Sequence, residues 1–558
     1  MVIAACSEER FSRVKQDAGL PVRATRWCLE HAGLAMEDLE AVVWYEKPIQ
    51  KFERILVSQL LGFPWTLESF RRTAMTWLTD KLWVKNALCK ELGVLPDRLL
   101  FSDHHLSHAA SALYCSPFDQ AAVLTVDGVG EWASTSLWRG GGGAPLERLA
   151  EVRFPHSLGL VYSAFTAWLG FRVNEGEYKV MGLAAFGEPR FADRVRKVLR
   201  GTADGGFAVD TRYLRYHRSA TQSYSRAFVD LFGPPRFPGA PLDPTSTEGR
   251  HYADVAASVQ AVLEESMLDL CRALHARTGL TDLCLAGGVA LNVVANRRIL
   301  ADSPFRRLYV QPAAGDAGGA LGAALWAWRE VLGGAPVPAG LVPGMGRPWS
   351  DEVLERLLAE LQLPHRDCGE ELLDHAVEDL LAGRILGWFQ GRCEWGPRAL
   401  GHRSILADPT RPGVQETVNA RIKFREAFRP FAPSVAAGAE GRYFDLLPGA
   451  EAPAEWMCMV ADVKPDARAL LPATTHVDGT ARLHVVQPQA NPRYHALLQR
   501  MGQANGHPVL LNTSFNLKGD PIVSTPLHAL STLQASGLDA VYLGRFRIDR
   551  KDLPGAGS

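Results

Sequence analysis

The sequence predicts an α/β protein built as two domains, and three observations predict it. At 558 residues the chain exceeds what one hydrophobic core serves. Strand-like and helix-like periods alternate along it with glycine-rich turns between them, the pattern of sheets covered by helices. The stretch GGAPVPAGLVPGMGRPWS, residues 333–350, is rich in Gly and Pro and has no apolar period, as a linker does. The boundary is expected near residue 340, giving domains 1–340 and 341–558.

Each element follows from its own pattern. Residues 97–140 read as strand RLLF, helix DHHLSHAASALY, strand AAVLTVD, a DGVGE turn and strand STSLW. Residues 283–326 read as strand LCLA, a GG turn, helix VALNVVANRRIL, strand RLYVQP, loop AAGDAGG and helix ALGAALWAW. Beyond the linker come helix DEVLERLLAEL, strand RILGWFQG, a basic loop region to about residue 430, and strand HPVLLNTSF.

Composition removes several function classes. With 60 basic against 61 acidic residues there is no net field to hold nucleic acid or an anionic membrane, so a small phosphorylated ligand fits better than a polymer. Apolar runs such as ALGAALWAW fall short of the ~20 residues that cross a bilayer, and SEERFSR follows the start in place of a secretory core. The nine cysteines are scattered singly, without a C-x-x-C pair. A cytoplasmic protein in a reducing compartment is expected.

Three histidines fall in FSDHHLSHAASALY. With Ser102 or Asp103 as N-cap, His104 and His108 share one helical face, and His105 lies about 100° round from His104. Pairing of His104 with His108 and of His105 with His108 are both open to a helix. Asp127 closes the strand AAVLTVD at a D-G turn, and Asp316 in AAGDAGG follows one strand and precedes a helix. Two imidazoles and two carboxylates suit Fe²⁺, Mn²⁺ or Zn²⁺ with a position left for substrate. The plain alternatives are hydrogen-bonded histidines, a turn Asp and a helix cap.

The pair Gly287-Gly288 in LAGGVALN, and Gly318-Gly319 in GDAGGALG, allow close backbone approach beside a helix N-terminus, which points to a nucleotide or to tight strand–helix packing. Between Arg392 and Arg429 stand Arg392, Arg398, Arg403, Arg411, Arg421, Lys423, Arg425 and Arg429 against Glu394, Asp408, Glu416 and Glu426. WGPRALGHRSIL sets its arginines among Gly, Pro and apolar residues, as at a pocket rim; forked guanidinium groups suit phosphate oxygens, with Lys423 to neutralise charge. LLNTSFNLKGDPIV offers Asn512 and Ser514 at a strand's end.

Six stretches, DHHLSHAASALYCSPFDQAAVLTVDGVGEW, SLGLVYSAFTAWLGFRVNEGEYKVMGLAAFGEP, LAGGVALNVVANRRI, GRCEWGPRALGHRSILADP, KFREAFRPFAPSV and LNTSFNLKGDPIV, together resemble the NodU/CmcH-type O-carbamoyltransferases, in order over nearly the whole chain. The resemblance implies an actin-like, duplicated ribonuclease-H-like domain related to tRNA threonylcarbamoyl-transfer ATPases, followed by a YrdC-like domain. It implies that the second domain forms carbamoyl adenylate from carbamoyl phosphate and ATP, with Mg, using Arg398, Lys423 and Arg429. It implies a metal, usually iron, on His104, His108, Asp127 and Asp316, with His105 supporting or facing the acceptor. Adenylate contacts are implied at Gly287, Gly288, Asn292, Gly318, Gly319, Lys179, Asn512 and Ser514. A hydroxyl of a sugar or natural product receives the carbamoyl group, and a homodimer is expected.

One departure stands out. Members of the family open with a strand and a His-Asp loop ahead of EERFSR, whereas MVIAACSEERFSRVKQ starts almost on that motif. Either the start at Met1 is placed too late, or an actin-like half lacking its first strand, with an exposed sheet edge, is expected. The alternative to an enzyme is a nucleotide-binding module without turnover, or a truncated, inactive member.

Overall fold

A computed structural model describes residues 1–64, 66–79, 81–219, 221–337, 341–426 and 428–553. The chain is mixed α/β and divides into two compact units: Met1, Leu34–Gly340 and Pro448–Ala450 form one, and Val2–Gly33, Leu341–Leu447 and Glu451–Ser558 form the other. The opening segment therefore groups with the second unit. Residue 340, where the boundary was expected, lies outside the described residues.

The first unit holds strands β1 (Val42–Trp44), β2 (Leu99–Phe101), β3 (Gln120–Val126), β4 (Ala133–Gly141), β5 (Ala144–Arg153), β6 (Leu199–Gly201), β7 (Phe207–Val209), β8 (Asp282–Ala286) and β9 (Arg307–Val310). Its main sheet runs β5-β4-β3-β8-β9. β3 and β4 form the antiparallel hairpin turned by DGVGE, and β3, β8 and β9 are parallel. An order of 3-2-1-4-5 with that pairing is the ribonuclease-H-like arrangement. β1 and β2 make a separate parallel pair.

β3 is buried along most of its length, as an apolar run in the middle of a covered sheet must be. The helix after β2, His104–Leu113, starts where the Asp103 carboxylate accepts the Leu106 amide at 3.1 Å. It packs on the helix Asp316–Trp326 backbone to backbone: a Cβ on Gly322 would sit 1.8 Å from the Ser107 carbonyl oxygen, so only glycine allows the approach. That contact brings Asp316 to the histidines.

In the second unit the strands are β10 (Arg366–Asp367), β11 (Leu386–Phe389), β12 (Arg403–Ala407), β13 (Ala432–Ala436), β14 (Phe444–Asp445), β15 (Val460–Val463), β16 (Thr480–Arg482), β17 (His484–Val486), β18 (Val509–Ser514), β19 (Ala540–Leu543) and β20 (Phe546–Asp549). Eight of them form the sheet β10-β20-β19-β11-β12-β18-β13-β17, and β14-β15-β16 form a smaller one. Period two divides the large sheet's side chains between two cores. Phe389, Ile405, Leu511 and Val541 enter one, while Trp388, Leu406, Leu510 and Tyr542 enter the other.

The region expected as a basic loop to about residue 430 is more ordered than that. It contains β12, central in the sheet, and the helix Val414–Val418 running into a π-helical turn Asn419–Lys423. The excess of arginine hid the alternation of RSILA. Among the described residues no helix is long and apolar enough to cross a membrane.

Candidate functional site

In the first unit the four side chains His104, His108, Asp127 and Asp316 offer ligand atoms that all lie within 4.8 Å of one another. The helix repeat places His104 and His108 on one face, their Nε2 atoms 3.2 Å apart and their rings edge to face. Asp127, at the end of β3, brings Oδ2 to 3.0 Å from His104 Nε2 and 3.6 Å from His108 Nε2. Its other oxygen, Oδ1, accepts the Gly288 amide at 2.9 Å. Asp316, the first residue of its helix, completes the ring at 3.8 and 3.7 Å from the two imidazoles. The Asp127 side chain is 14% exposed and that of Asp316 68%, so the group opens to solvent on the Asp316 side.

Electrostatics tie the group together. Burial acts to raise the Asp127 carboxyl, but the two imidazoles outweigh it and hold the group well below the usual carboxylate range. Burial disfavours the charged form of His108, yet Asp127 and Asp316 prevail and push the ring up to about 9. Across 3.2 Å the two Nε2 atoms cannot both present hydrogens to each other, so one lone pair faces the other ring. Two borderline nitrogens and two hard carboxylates converging from helix and sheet fit a divalent transition ion.

Neighbouring groups hold these ligands. Glu131, in the hairpin turn, is buried and accepts the His104 amide with both oxygens, at 3.1 and 3.2 Å, and the Lys47 amide at 2.7 Å. His105 is turned inward, away from any acceptor: Nε2 lies 2.9 Å from the Ala133 carbonyl and Nδ1 2.8 Å from the Thr125 hydroxyl. A carbonyl only accepts, so Nε2 carries hydrogen; burial lowers the ring's pKa and keeps it neutral, so Thr125 donates to Nδ1. Of the two places expected for His105, supporting its neighbours or facing the acceptor, this closed pairing fits the first.

Several residues expected to touch adenylate also make packing or capping contacts. Gly287 has φ 93°, and a Cβ there would meet the Val126 carbonyl oxygen at 2.2 Å, so the turn after β8 lies directly on β3. A Cβ on Gly318 would meet the Ala313 carbonyl oxygen at 2.2 Å, and one on Gly319 the Tyr45 ring at 3.3 Å. Asn292 caps the helix Val293–Asp302 through the Ala295 amide and exchanges two hydrogen bonds with Gln260. Lys179 stands over the Phe171 ring at 5.4 Å.

In the second unit the cations converge. Lys423 is buried, with Nζ donating to the Ser514 carbonyl, and at 3.0 Å each to the Asn516 carbonyl and side-chain oxygens. Burial first, then the like charges of Arg425, Arg429 and Lys15, lower its pKa well below the ordinary value. Phe424, the residue after it, is held at φ 44°, a strained conformation for an aromatic residue. Asn512 ties β18 to the loop of Arg398, donating to the Ala399 carbonyl at 3.1 Å and to Ser434 Oγ at 3.0 Å. Arg429 pairs with Glu426 at 3.5 Å.

Sequence reasoning missed Arg482 and named Glu394 only as an acid within the arginine cluster. Arg482, at the end of β16, is half-buried; burial and the charges of Arg398, Arg425 and Arg429 lower its pKa well below the ordinary value. A single arginine in TARLHVV gives no signal by itself. Glu394 is buried, and its Oε1 accepts the amides of Leu400, His402 and Arg403 at 2.9, 2.9 and 2.8 Å, bending the segment that carries Arg398.

Family models match both parts of the chain. Residues 1–325 match the model described as carbamoyltransferase N-terminus and residues 377–550 the one described as carbamoyltransferase C-terminus. The chain belongs to the carbamoyltransferase family. It is 43% identical, over 99% of its own length and 94% of the other, to an uncharacterized protein, sll1178, of Synechocystis. It is 36% identical to nodulation protein NolNO of Sinorhizobium fredii, covering 99% of this chain and 77% of that one. A 3'-hydroxymethylcephem-O-carbamoyltransferase of Streptomyces clavuligerus is 32% identical over 44% of each chain. As a carbamoyltransferase-family chain it is an enzyme, and the non-enzymatic alternative gives way to that.

Proposed function

We propose that this carbamoyltransferase forms carbamoyl adenylate from carbamoyl phosphate and ATP in its second unit, and passes the carbamoyl group to a hydroxyl of a sugar or natural product at the His-Asp group of its first. The observation that carries the reading is the cluster of cations in the second unit: the charges of Arg425 and Arg429 act on the buried Lys423, and those of Arg398, Arg425 and Arg429 on Arg482. Such an array suits a polyanion whose charge moves during reaction.

The balance is simple. Carbamoyl phosphate and water give carbamate and phosphate; a carbamate oxygen attacks the α-phosphorus of ATP, and pyrophosphate leaves. Arg398, Arg429 and Arg482 grip phosphate oxygens, and Lys423, desolvated and oriented by Ser514 and Asn516, meets the charge that develops at the reacting phosphate. In the first unit His104, His108, Asp127 and Asp316 would hold the divalent ion, which when bound supplies Lewis-acid withdrawal of charge from a phosphate or carbonyl oxygen. The acceptor enters on the open Asp316 side, its oxygen attacks the carbamoyl carbon, and AMP leaves.

The test mixes protein, ATP and carbamoyl phosphate and follows pyrophosphate and carbamoylated acceptor separately. Lys423→Ala is expected to abolish pyrophosphate release, a loss of roughly a thousandfold or more. His108→Ala is expected to spare that release and block transfer. Equal loss of both half-reactions in both variants sinks the two-site account.

A further inference from the structure

We infer that the opening segment Ser7–Gln16 positions the cationic site of the second unit: Arg10 and Arg13 hold the two loops that present its ligands. The inference rests on the proposed reading of that pocket as the adenylate-forming site. It assigns to the first residues of the chain a part in the second unit's chemistry, although the family model places them with the N-terminal half.

Arg10 lies in the short helix Glu9–Ser12 and is 4% exposed. Its Nη2 donates to the Gly396 carbonyl at 3.1 Å, two residues before Arg398. Glu394, whose carboxylate gathers the amides of Leu400, His402 and Arg403, is among the charges acting on this guanidinium. A buried charge persists only where partners compensate its lost hydration, so Arg10, Glu394 and the segment between Glu394 and Arg403 stand or fall together.

Arg13 holds the other loop. Nη1 donates to the Ile522 carbonyl at 2.9 Å and Nη2 to the Pro521 carbonyl at 3.0 Å. That loop closes on itself through Asn516 Nδ2 to the Asp520 carbonyl at 2.6 Å and the Val523 amide to the Phe515 carbonyl at 2.9 Å. Asn516 is also the residue that orients Lys423 Nζ. One arginine therefore braces the return limb of the loop that positions the reacting lysine.

The backbone is bent to reach these places. Arg13 has φ 62° and Gln16 φ 54°, left-handed values in residues other than glycine, and the bend is tied by the Gln16 amide donating to Glu9 Oε2 at 2.9 Å. Strain of this kind persists where surrounding contacts impose it.

The experiment uses the full chain, with inorganic pyrophosphate as the probe in titration calorimetry and ATP with carbamoyl phosphate in pyrophosphate release. Arg13→Ala is expected to weaken pyrophosphate binding roughly tenfold and to raise KM for ATP more than it lowers kcat, with Arg13→Lys restoring part of the loss. Arg26→Ala, an exposed cation of the helix Val22–Ala32, is expected to change neither. Should Arg13→Ala fail to fold, Arg13→Lys is read on the same scales. Unchanged binding and KM in Arg13→Ala overturn the inference, as does a parent chain that does not bind pyrophosphate. A parent that binds pyrophosphate yet makes no carbamoyl adenylate counts against the proposed chemistry instead, and the binding data still decide the role of Arg13.

Discussion

The His-Asp group of the first unit and the cationic pocket of the second are held by opposite means. The first takes its four side chains from regular elements: one turn of helix, the end of a strand and the first residue of another helix. The second takes its cations from a π-helical turn, a bent segment around Glu394 and the end of a short strand. Charges of opposite sign attract and pull the first site closed, so Asp127 is driven toward ionisation. Like charges repel in the second, so its cations are placed by the surrounding hydrogen bonds and disfavoured by one another. A group of mixed charge is self-assembling in this sense, while a group of like charge has to be built against its own field.

That contrast is open to attack. The largest effect expected is at Asp127, the hub of the first site. Asp127→Ala is expected to weaken binding of a divalent ion by roughly a hundredfold or more, measured by calorimetry, while pyrophosphate binding stays at the parent value. If both fall together, the two sites are not held independently. Next comes Arg482→Ala, which removes one guanidinium from a shared array; KM for carbamoyl phosphate or ATP is expected to rise roughly tenfold to a hundredfold, matching ~1.5–3 kcal/mol for a charge-assisted contact. An unchanged KM would take Arg482 out of the pocket.

The smallest effect expected is on stability and concerns Glu394. Burial acts to raise its carboxyl, but His402, Arg403 and the backbone amides win and hold it below the ordinary 4.5. The native state therefore binds this proton less readily than the unfolded chain, and the stabilisation is complete above about pH 4.5 and lost as pH falls through the depressed value. Glu394→Gln is expected to cost about 2 kcal/mol at pH 7. The gap between variant and parent, read from thermal unfolding, is expected to narrow as pH drops from 5 to 3. A gap independent of pH would mean that shape and not charge holds the bend.

The same contrast explains what was legible in the sequence. Periodicity located the histidine helix, β3 and β8 but left two histidine pairings open and put Asp316 in a loop ahead of its helix; the family resemblance supplied the set of His104, His108, Asp127 and Asp316. In the second unit the density of arginine was visible but its arrangement was not. β12 was hidden inside an apparent loop, and Arg482 and Glu394 act through tertiary contacts that no local pattern announces. The opening segment is the extreme case: its hydrogen bonds reach Gly396, Pro521 and Ile522, separated from it by hundreds of residues. The glycine pairs were legible as places of close approach, and at Gly287 and Gly318 the chain itself approaches.

His105 sets the angular phase of the helix that carries its neighbours. Successive helical residues differ by about 100°, so pinning one imidazole between Thr125 and the Ala133 carbonyl leaves a single rotation of the cylinder about its axis. A rotation by one residue step would bury His104 in the sheet and point His105 outward, and the two hydrogen bonds forbid it. The residue works as a keyway: it touches nothing that reacts, and it decides which of three histidines can.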